Sequence, residues 1–234
     1  MSEQALFRGG THAQVVKIGD TVRRPHGPHS AFLKRVLDLL SHSSVIAPRH
    51  LGVDELDRDV LTYIDGEVLH ERVDMSDDRL VAAAKLVRKL HDATVGSALA
   101  GADEVVCHND LAPWNLVWRG DEPIAFIDFD AAAPGARIDD VAYFAWTFLD
   151  LGRDTPVAEQ VRQVRLVCAA YGVPTDTAFV AAVARQQHRI LRYREQQAES
   201  SPDARVRAFS IERAERIRTE MAWFRSHTAE LAQQ

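Results

Sequence analysis

The stretch "HNDLAPWN", His108 to Asn115, places a histidine, an aspartate and two asparagines just after the apolar pair Val105 and Val106. Asp110, Asn115 and the later Asp128 are the side chains able to do chemistry here. Two carboxylates and an amide oxygen that converge without an obvious basic partner repel one another or stay undersatisfied, unless a hard divalent cation binds them. Magnesium suits that oxygen set. A solvated turn is the plainer reading, because Asn, Asp and Pro are favoured in turns for local reasons. The neighbours Cys107 and His108 do not make a transition-metal site: adjacent residues of an extended segment face opposite ways, and no second Cys or His pair has ligand spacing.

Positioning these groups falls to the elements around them. In "NLVWRGDEPIAFIDFD" two apolar runs flank Arg119-Gly120-Asp121 and predict a hairpin. In an antiparallel hairpin the residue entering one strand sits beside the residue leaving the other, so Asn115 and Asp128 are expected at its open end, with Asp110 in the same loop. Upstream, "AQVVKIGDTVRRP" reads as a hairpin turning at Gly19-Asp20, "SAFLKRVLDLL" as a helix, and "DVLTYIDGE" as a further strand. From Ser76 the pattern turns helical, with Ser76 as N-cap, Asp77 and Asp78 in the first turn and Arg88, Lys89 and His91 in the last. "DDVAYFAWTFLDL" predicts a buried helix. Three amphipathic helices follow, the first starting at Thr155-Pro156 and ending at Gly172 and Pro174. Strands dominate early and helices late, which predicts an α+β fold with a small lobe over 1–66, built on an antiparallel sheet, and a larger, mainly helical lobe over 67–234.

Composition narrows the function. The formal net charge of −6 argues against nucleic acid or an anionic membrane as partner, and no apolar run approaches the roughly 20 residues of a spanning helix. Two cysteines, Cys107 and Cys168, and an N-terminus unlike a signal peptide lead to the expectation of a soluble protein of the reducing cytoplasm, with no obligate protein partner evident.

His-x-Asp, four residues, Asn, a hairpin and then Asp-Phe is also the arrangement of kinase phosphoryl transfer. With "VVCHNDLAPWNLVW", "IAFIDFDAAAPGARIDDVAY" and "LVRKLHDAT", the chain resembles the aminoglycoside phosphotransferase family of small-molecule kinases, from about Gly9 to Tyr171. The resemblance implies the two-lobed protein-kinase-like fold. It makes Asp110 the residue that orients and deprotonates an acceptor hydroxyl, and it gives magnesium to Asn115 and Asp128. His108 becomes a structural loop residue and Asp140 a buried acceptor for loop amides. By the same likeness Gly9, Gly10 and Thr11 form the loop over the phosphates of ATP or GTP, Arg23 supplies the strand cation, and Thr62 and Ile64 form the hinge that binds the adenine edge.

Two features depart from the family pattern. "AFLKRVLDLL" has no glutamate to pair with the strand cation, only Asp38, and 66 residues make a very small nucleotide lobe. For a polycationic acceptor such as an aminoglycoside, Asp150, Asp154 and Glu159 are candidate walls. Arg185, His188, Arg189 and Arg192 share one helical face, read here as solvated; were it to line the cleft, the acceptor would be neutral or anionic. The expected activity is transfer of a nucleotide's terminal phosphate to a hydroxyl of a small molecule, an antibiotic among the candidates. The alternative is a catalytically inactive nucleotide- or ligand-binding module. A protein kinase is disfavoured, since Asp-Phe-Gly, Ala-Pro-Glu and Gly-x-Gly-x-x-Gly are all missing.

Overall fold

The computed structural model describes residues 4–5, 15–69, 75–153 and 155–232. A five-stranded antiparallel sheet in the order β1-β2-β3-β5-β4 opens the chain: β1 (Gln4–Ala5), β2 (Val16–Ile18), β3 (Thr21–Pro25), β4 (His50–Val53) and β5 (Arg58–Thr62). Ile18 pairs with Thr21, so Gly19, at φ 59°, closes the expected two-residue turn. Helix α1 (Ser30–Leu40) buries Leu33, Val36, Leu37 and Leu40, a spacing that sets one apolar stripe against the core. β4 is not announced by periodicity. Its outer residues stay exposed, and a bulge between His50 and Gly52, with Gly52 at φ 134°, breaks the alternation.

After Thr62 the chain leaves this sheet, and β6 (Glu67–Val68) joins a second one, order β6-β8-β9, with β8 (Leu116–Arg119) and β9 (Glu122–Phe126). Gly66 makes this crossing possible. Its φ is 150°, and a Cβ there would lie 2.5 Å from both the Trp118 carbonyl oxygen and Val117 Cγ1.

Helix α2 (Asp77–Thr94) begins as expected, with the Ser76 hydroxyl accepting the Arg79 amide at 3.4 Å. β7 (Val105–Cys107) pairs with β10 (Ala133–Gly135), and α3 (Arg137–Phe148) follows, buried along most of its length. Helix α4 (Val157–Tyr171) stops where Gly172 adopts φ 95° and returns its amide to the Cys168 carbonyl. Asp176 caps α5 (Thr177–Ser200) and Asp203 caps α6 (Ala204–Ser226), which pack together ahead of the short α7 (Thr228–Leu231). Trp118, Trp146, Phe144, Phe179 and Phe224 are fully buried. Each such aromatic removes roughly 150–250 Å² from water, worth about 4–6 kcal/mol before entropy is counted. Among the described residues no helix is long and apolar enough to cross a membrane.

Candidate active site

The loop after β7 is held by a buried carboxylate. Asp140, fully buried in the first turn of α3, accepts the His108 amide at 2.6 Å and the Asn109 amide at 2.8 Å. His91 of α2 supports it from below, with Nε2 3.0 Å from the same carboxylate and Nδ1 2.6 Å from the Tyr171 hydroxyl. Burial alone would raise the Asp140 pKa; the His91 hydrogen bond, the electrostatic attraction of the His91 and His108 rings and the Asn109 amide reverse that and hold it below the usual carboxylate range. The clamp forces Asn109 to φ 63°, a left-handed conformation that costs a non-glycine residue energy and is over-represented at functional sites.

His91, Cys107 and Asp140 lie close enough together to suggest a metal site. Both ring nitrogens of His91 are already used, however, and the Cys107 thiol donates to the Ala136 carbonyl at 3.3 Å. Burial and the surrounding acids push that thiol well above its ordinary pKa, so it is not a ready thiolate ligand. The cluster is a structural support for the loop.

His108 locks the other side. Its Nδ1 accepts the Asp110 amide at 3.3 Å, which leaves Nε2 to donate to the Ile127 carbonyl at 3.1 Å. Asp110 is gripped twice: the Tyr143 hydroxyl donates to Oδ1 at 2.7 Å and Asn115 Nδ2 donates to Oδ2 at 2.8 Å. Burial, followed by the Asp110 charge, raises the Tyr143 pKa well above its ordinary value, so the phenol remains a donor. Asn115 sits in a one-turn helix (Pro113–Asn115), and its carbonyl accepts the Ile127 amide at 2.9 Å. The register Leu116↔Phe126 thus sets Asn115 across from Ile127, one residue before Asp128. Asp110 and Asn115 are in direct contact, and Asp128 stands at the same hairpin mouth with φ 65°.

The donor set fits magnesium. Asn115 points its amide nitrogen at Asp110, which turns its oxygen away, and Asp128 adds carboxylate oxygens at the mouth of the hairpin.

Arg24, rather than Arg23, reaches this mouth. Strand alternation sends the two guanidinium groups to opposite faces of β3. Arg23 donates to Thr21 Oγ1 at 2.5 Å and lies 3.4 Å from Asp54. Arg24 lies 3.5 Å from Asp128, pairs with Asp130 and stands 3.9 Å from Asp59. Its Nε is buried without a hydrogen-bond partner.

The missing helix glutamate has a counterpart in Asp59 of β5. This buried carboxylate accepts Ser30 Oγ at 2.5 Å, His26 Nδ1 at 2.7 Å and His50 Nε2 at 3.1 Å. Asp38 is engaged on the surface by Lys34. The Asp59 bond raises the His26 pKa above its ordinary value. A raised folded pKa means that the stabilisation is complete below the ordinary histidine value, about 6.5, and is lost as pH rises through the folded value. The melting temperature should therefore fall across that window. His26→Ala should flatten this component of the profile, and an unchanged profile would rule out the linkage.

The other expected site residues divide. Thr62 ends β5 with its amide on the Arg49 carbonyl and its hydroxyl accepting the Arg49 amide, both at 2.9 Å, so its own N–H is spent inside the sheet. Ile64 lies in the crossing between the sheets, half-buried. Gly9, Gly10 and Thr11 fall outside the described residues, as does Asp154. Asp150 and Glu159 are engaged by arginines, Asp150 by Arg153 and Arg216, Glu159 by Arg162.

The α5 face is not uniformly solvated. Arg185 pairs with Asp139 at 2.7 Å, and Arg189 donates to the Asn109 carbonyl at 2.9 Å while lying over the Tyr143 ring. Tyr143 itself was open to detection: it sits three residues after Asp140 in one helix, a spacing that puts both on the side facing the loop.

The family model for the phosphotransferase enzyme family matches residues 97–183. The trifolitoxin immunity protein of Rhizobium leguminosarum bv. trifolii is 30% identical over 199 residues, covering 74% of this chain and 76% of that protein. The chain belongs to the phosphotransferase enzyme family. In this phosphotransferase the matched span contains Asp110, Asn115, Asp128, Asp140 and Tyr143. The two-lobed kinase-like fold is shared with the ethanolamine kinase of Plasmodium vivax (17% identity, TM-score 0.67, 96% of this chain and 83% of that one). It is shared too with the streptomycin–ATP ternary complex of APH(2″)-IIa (14% identity, TM-score 0.57, 94% and 93%).

Proposed function

We propose that this phosphotransferase moves the terminal phosphate of ATP or GTP to a hydroxyl of a small molecule, with Asp110 as the base. The observation that carries the reading is the double grip on Asp110 by Tyr143 and Asn115, which aims a carboxylate from a clamped loop beside a magnesium-competent hairpin mouth. In the transfer, the bond from the terminal phosphorus to its bridging oxygen breaks as the acceptor oxygen bonds to phosphorus. The hydroxyl proton passes late to Asp110. A loose transition state needs position and charge neutralisation more than a strong base, so an ordinary aspartate suffices. Asn115 and Asp128 would hold a magnesium ion, which would supply neutralising charge at the phosphates.

Arg24 takes the role of strand cation. Its orphaned Nε and its place among Asp59, Asp128 and Asp130 support a phosphate clamp at this position. Ile64 and the residues beside it are the proposed adenine hinge, Gly9, Gly10 and Thr11 the proposed phosphate loop, and the crossing near Gly66 the proposed boundary between lobes. An ATP-bound relative by fold and an immunity protein by sequence support a nucleotide co-substrate and an antibiotic-like acceptor.

A nucleotide-consumption screen over hydroxyl-bearing antibiotics and metabolites, with mass analysis of the product, tests the reading. In calorimetry, Asp128→Ala should weaken magnesium-nucleotide binding by about tenfold or more, as loss of a metal carboxylate implies; equal affinity would remove Asp128 from the site. A binding module without transfer is the second reading, favoured by the immunity role in the relative's name, since sequestration protects as modification does. Nucleotide-dependent stabilisation with no phosphorylated product from any acceptor would establish it.

A further inference from the structure

Arg189 is a half-buried guanidinium that touches the loop carrying Asp110 one residue before it, and its partners are all neutral: Gln186 Oε1 at 2.8 Å, the Asn109 carbonyl at 2.9 Å and the face of Tyr143. Among the described residues it has no carboxylate within ion-pair distance. Arg192 follows on the same face of α5, about 4.5 Å further along the axis at 1.5 Å per residue, exposed and likewise without an ion-pair partner among the described residues. The acids that a polycation would need are already engaged nearby. Asp139 is held by Arg185, Asp150 by Arg216, and buried Glu220 by Arg213, Arg216 and the Trp146 indole. Across α5 and α6 ten arginines face five glutamates with no lysine or aspartate, in a chain whose overall charge is −6. The two helices carry a net positive charge, and of their arginines Arg189 is the one that reaches the loop holding Asp110.

We infer that the acceptor carries an anionic group, carboxylate or phosphate, near its reactive hydroxyl, and that Arg189, helped by Arg192, holds this group while the hydroxyl meets Asp110. The inference rests on the phosphotransfer reading of the same site. A planar guanidinium already fixed by two neutral acceptors presents its remaining N–H groups in a pre-organised fork, the geometry that oxyanions take up with two hydrogen bonds. An aminoglycoside or a quaternary amine would meet like charge at this position.

Calorimetry on the full chain, loaded with magnesium and a non-hydrolysable ATP analogue, tests this. The probes are glycerate and malate as hydroxy acids, glycerol 3-phosphate as a hydroxy phosphate, glycerol as the neutral control, and choline and kanamycin as cations. The anionic probes should bind. The carboxylate and phosphate arms then tell which oxyanion is preferred. Arg189→Gln should weaken their binding by about tenfold to a hundredfold, the range for a hydrogen bond to a charged group, while Arg189→Lys retains part of it. Arg192→Gln, at an exposed position, should weaken it less, and it decides the matter if Arg189→Gln fails to fold.

Binding of choline or kanamycin as tight as that of the anions would overturn the proposal. So would no binding by any anionic probe, unchanged affinity in both Gln variants, or an equal loss for glycerol, which is what a purely loop-holding arginine would give. Phosphate transfer with ATP or GTP is measured on the same probes. Arginine-dependent anion binding without transfer leaves the inference standing and sinks the phosphotransfer reading. Transfer to a cation does the reverse.

Discussion

Asp110→Ala is expected to lower turnover by about two to four orders of magnitude while magnesium-nucleotide affinity stays near that of the parent, because a positioned base contributes roughly that factor and nucleotide contacts lie elsewhere. The structure explains why no neighbour can substitute. Tyr143 is a donor whose proton is held by burial and by the Asp110 charge, and Asn115 offers Asp110 an N–H, so neither can receive a proton. Alanine also leaves the buried Tyr143 hydroxyl without its acceptor, costing about 1–3 kcal/mol, while Asn115 Nδ2 keeps the Asp110 main-chain carbonyl at 2.9 Å, so a melting curve must accompany the kinetics. Asp110→Asn keeps the volume and separates the two effects: it should fold better than the alanine variant yet turn over no faster. Single-turnover phosphate transfer checks this, and a rate within about threefold of the parent in either variant would dismiss Asp110 as the base.

Asp140→Ala should destabilise the chain by about 3–5 kcal/mol, the range for breaking a buried charged network from one side. For a chain of this size that corresponds to a melting temperature lower by roughly 6–20 °C. Asp140 is fully buried and answers three donors at once, the amides of His108 and Asn109 and the ring of His91, all of which lose their acceptor. Because the folded pKa is depressed, the stabilisation is present above the ordinary carboxylate range and disappears as pH falls through the folded value. The gap between parent and variant should therefore narrow in acid. A variant melting within about 2 °C of the parent at neutral pH, or a gap independent of pH, would contradict the clamp. Residual folded Asp140→Ala should also turn over slowly, since Asn109 and Asp110 hang from the amides that Asp140 holds.

These two aspartates mark how legible the site was. Asp110, Asn115 and Asp128 are separated by a loop and one hairpin, and hairpin geometry follows from the turn at Gly120 and two apolar runs. Their meeting at one mouth is therefore a local consequence. The Ser76 cap, the Gly172 stop and the Gly19 turn are legible for the same reason: each depends on a hydrogen bond or a dihedral within a few residues. Arg23 and Arg24 show the opposite. Alternation says that the two differ, but only the pairing of β3 with β5, which places Asp59 beside Arg24, says which one faces the hairpin.

By itself, then, the sequence determined which polar side chains gather in the loop after β7 and at the hairpin that follows it, the caps and turns, and the drift from strands early to helices late. The tertiary structure decided what surrounds that chemistry. Tyr143 reaches Asp110 across 33 residues and Arg189 reaches Asn109 across 80, through the rotation of α3 and α5 about their axes. That rotation is set by how buried apolar faces pack together, and a helix with arginines along one face reads as solvated until its neighbours are known.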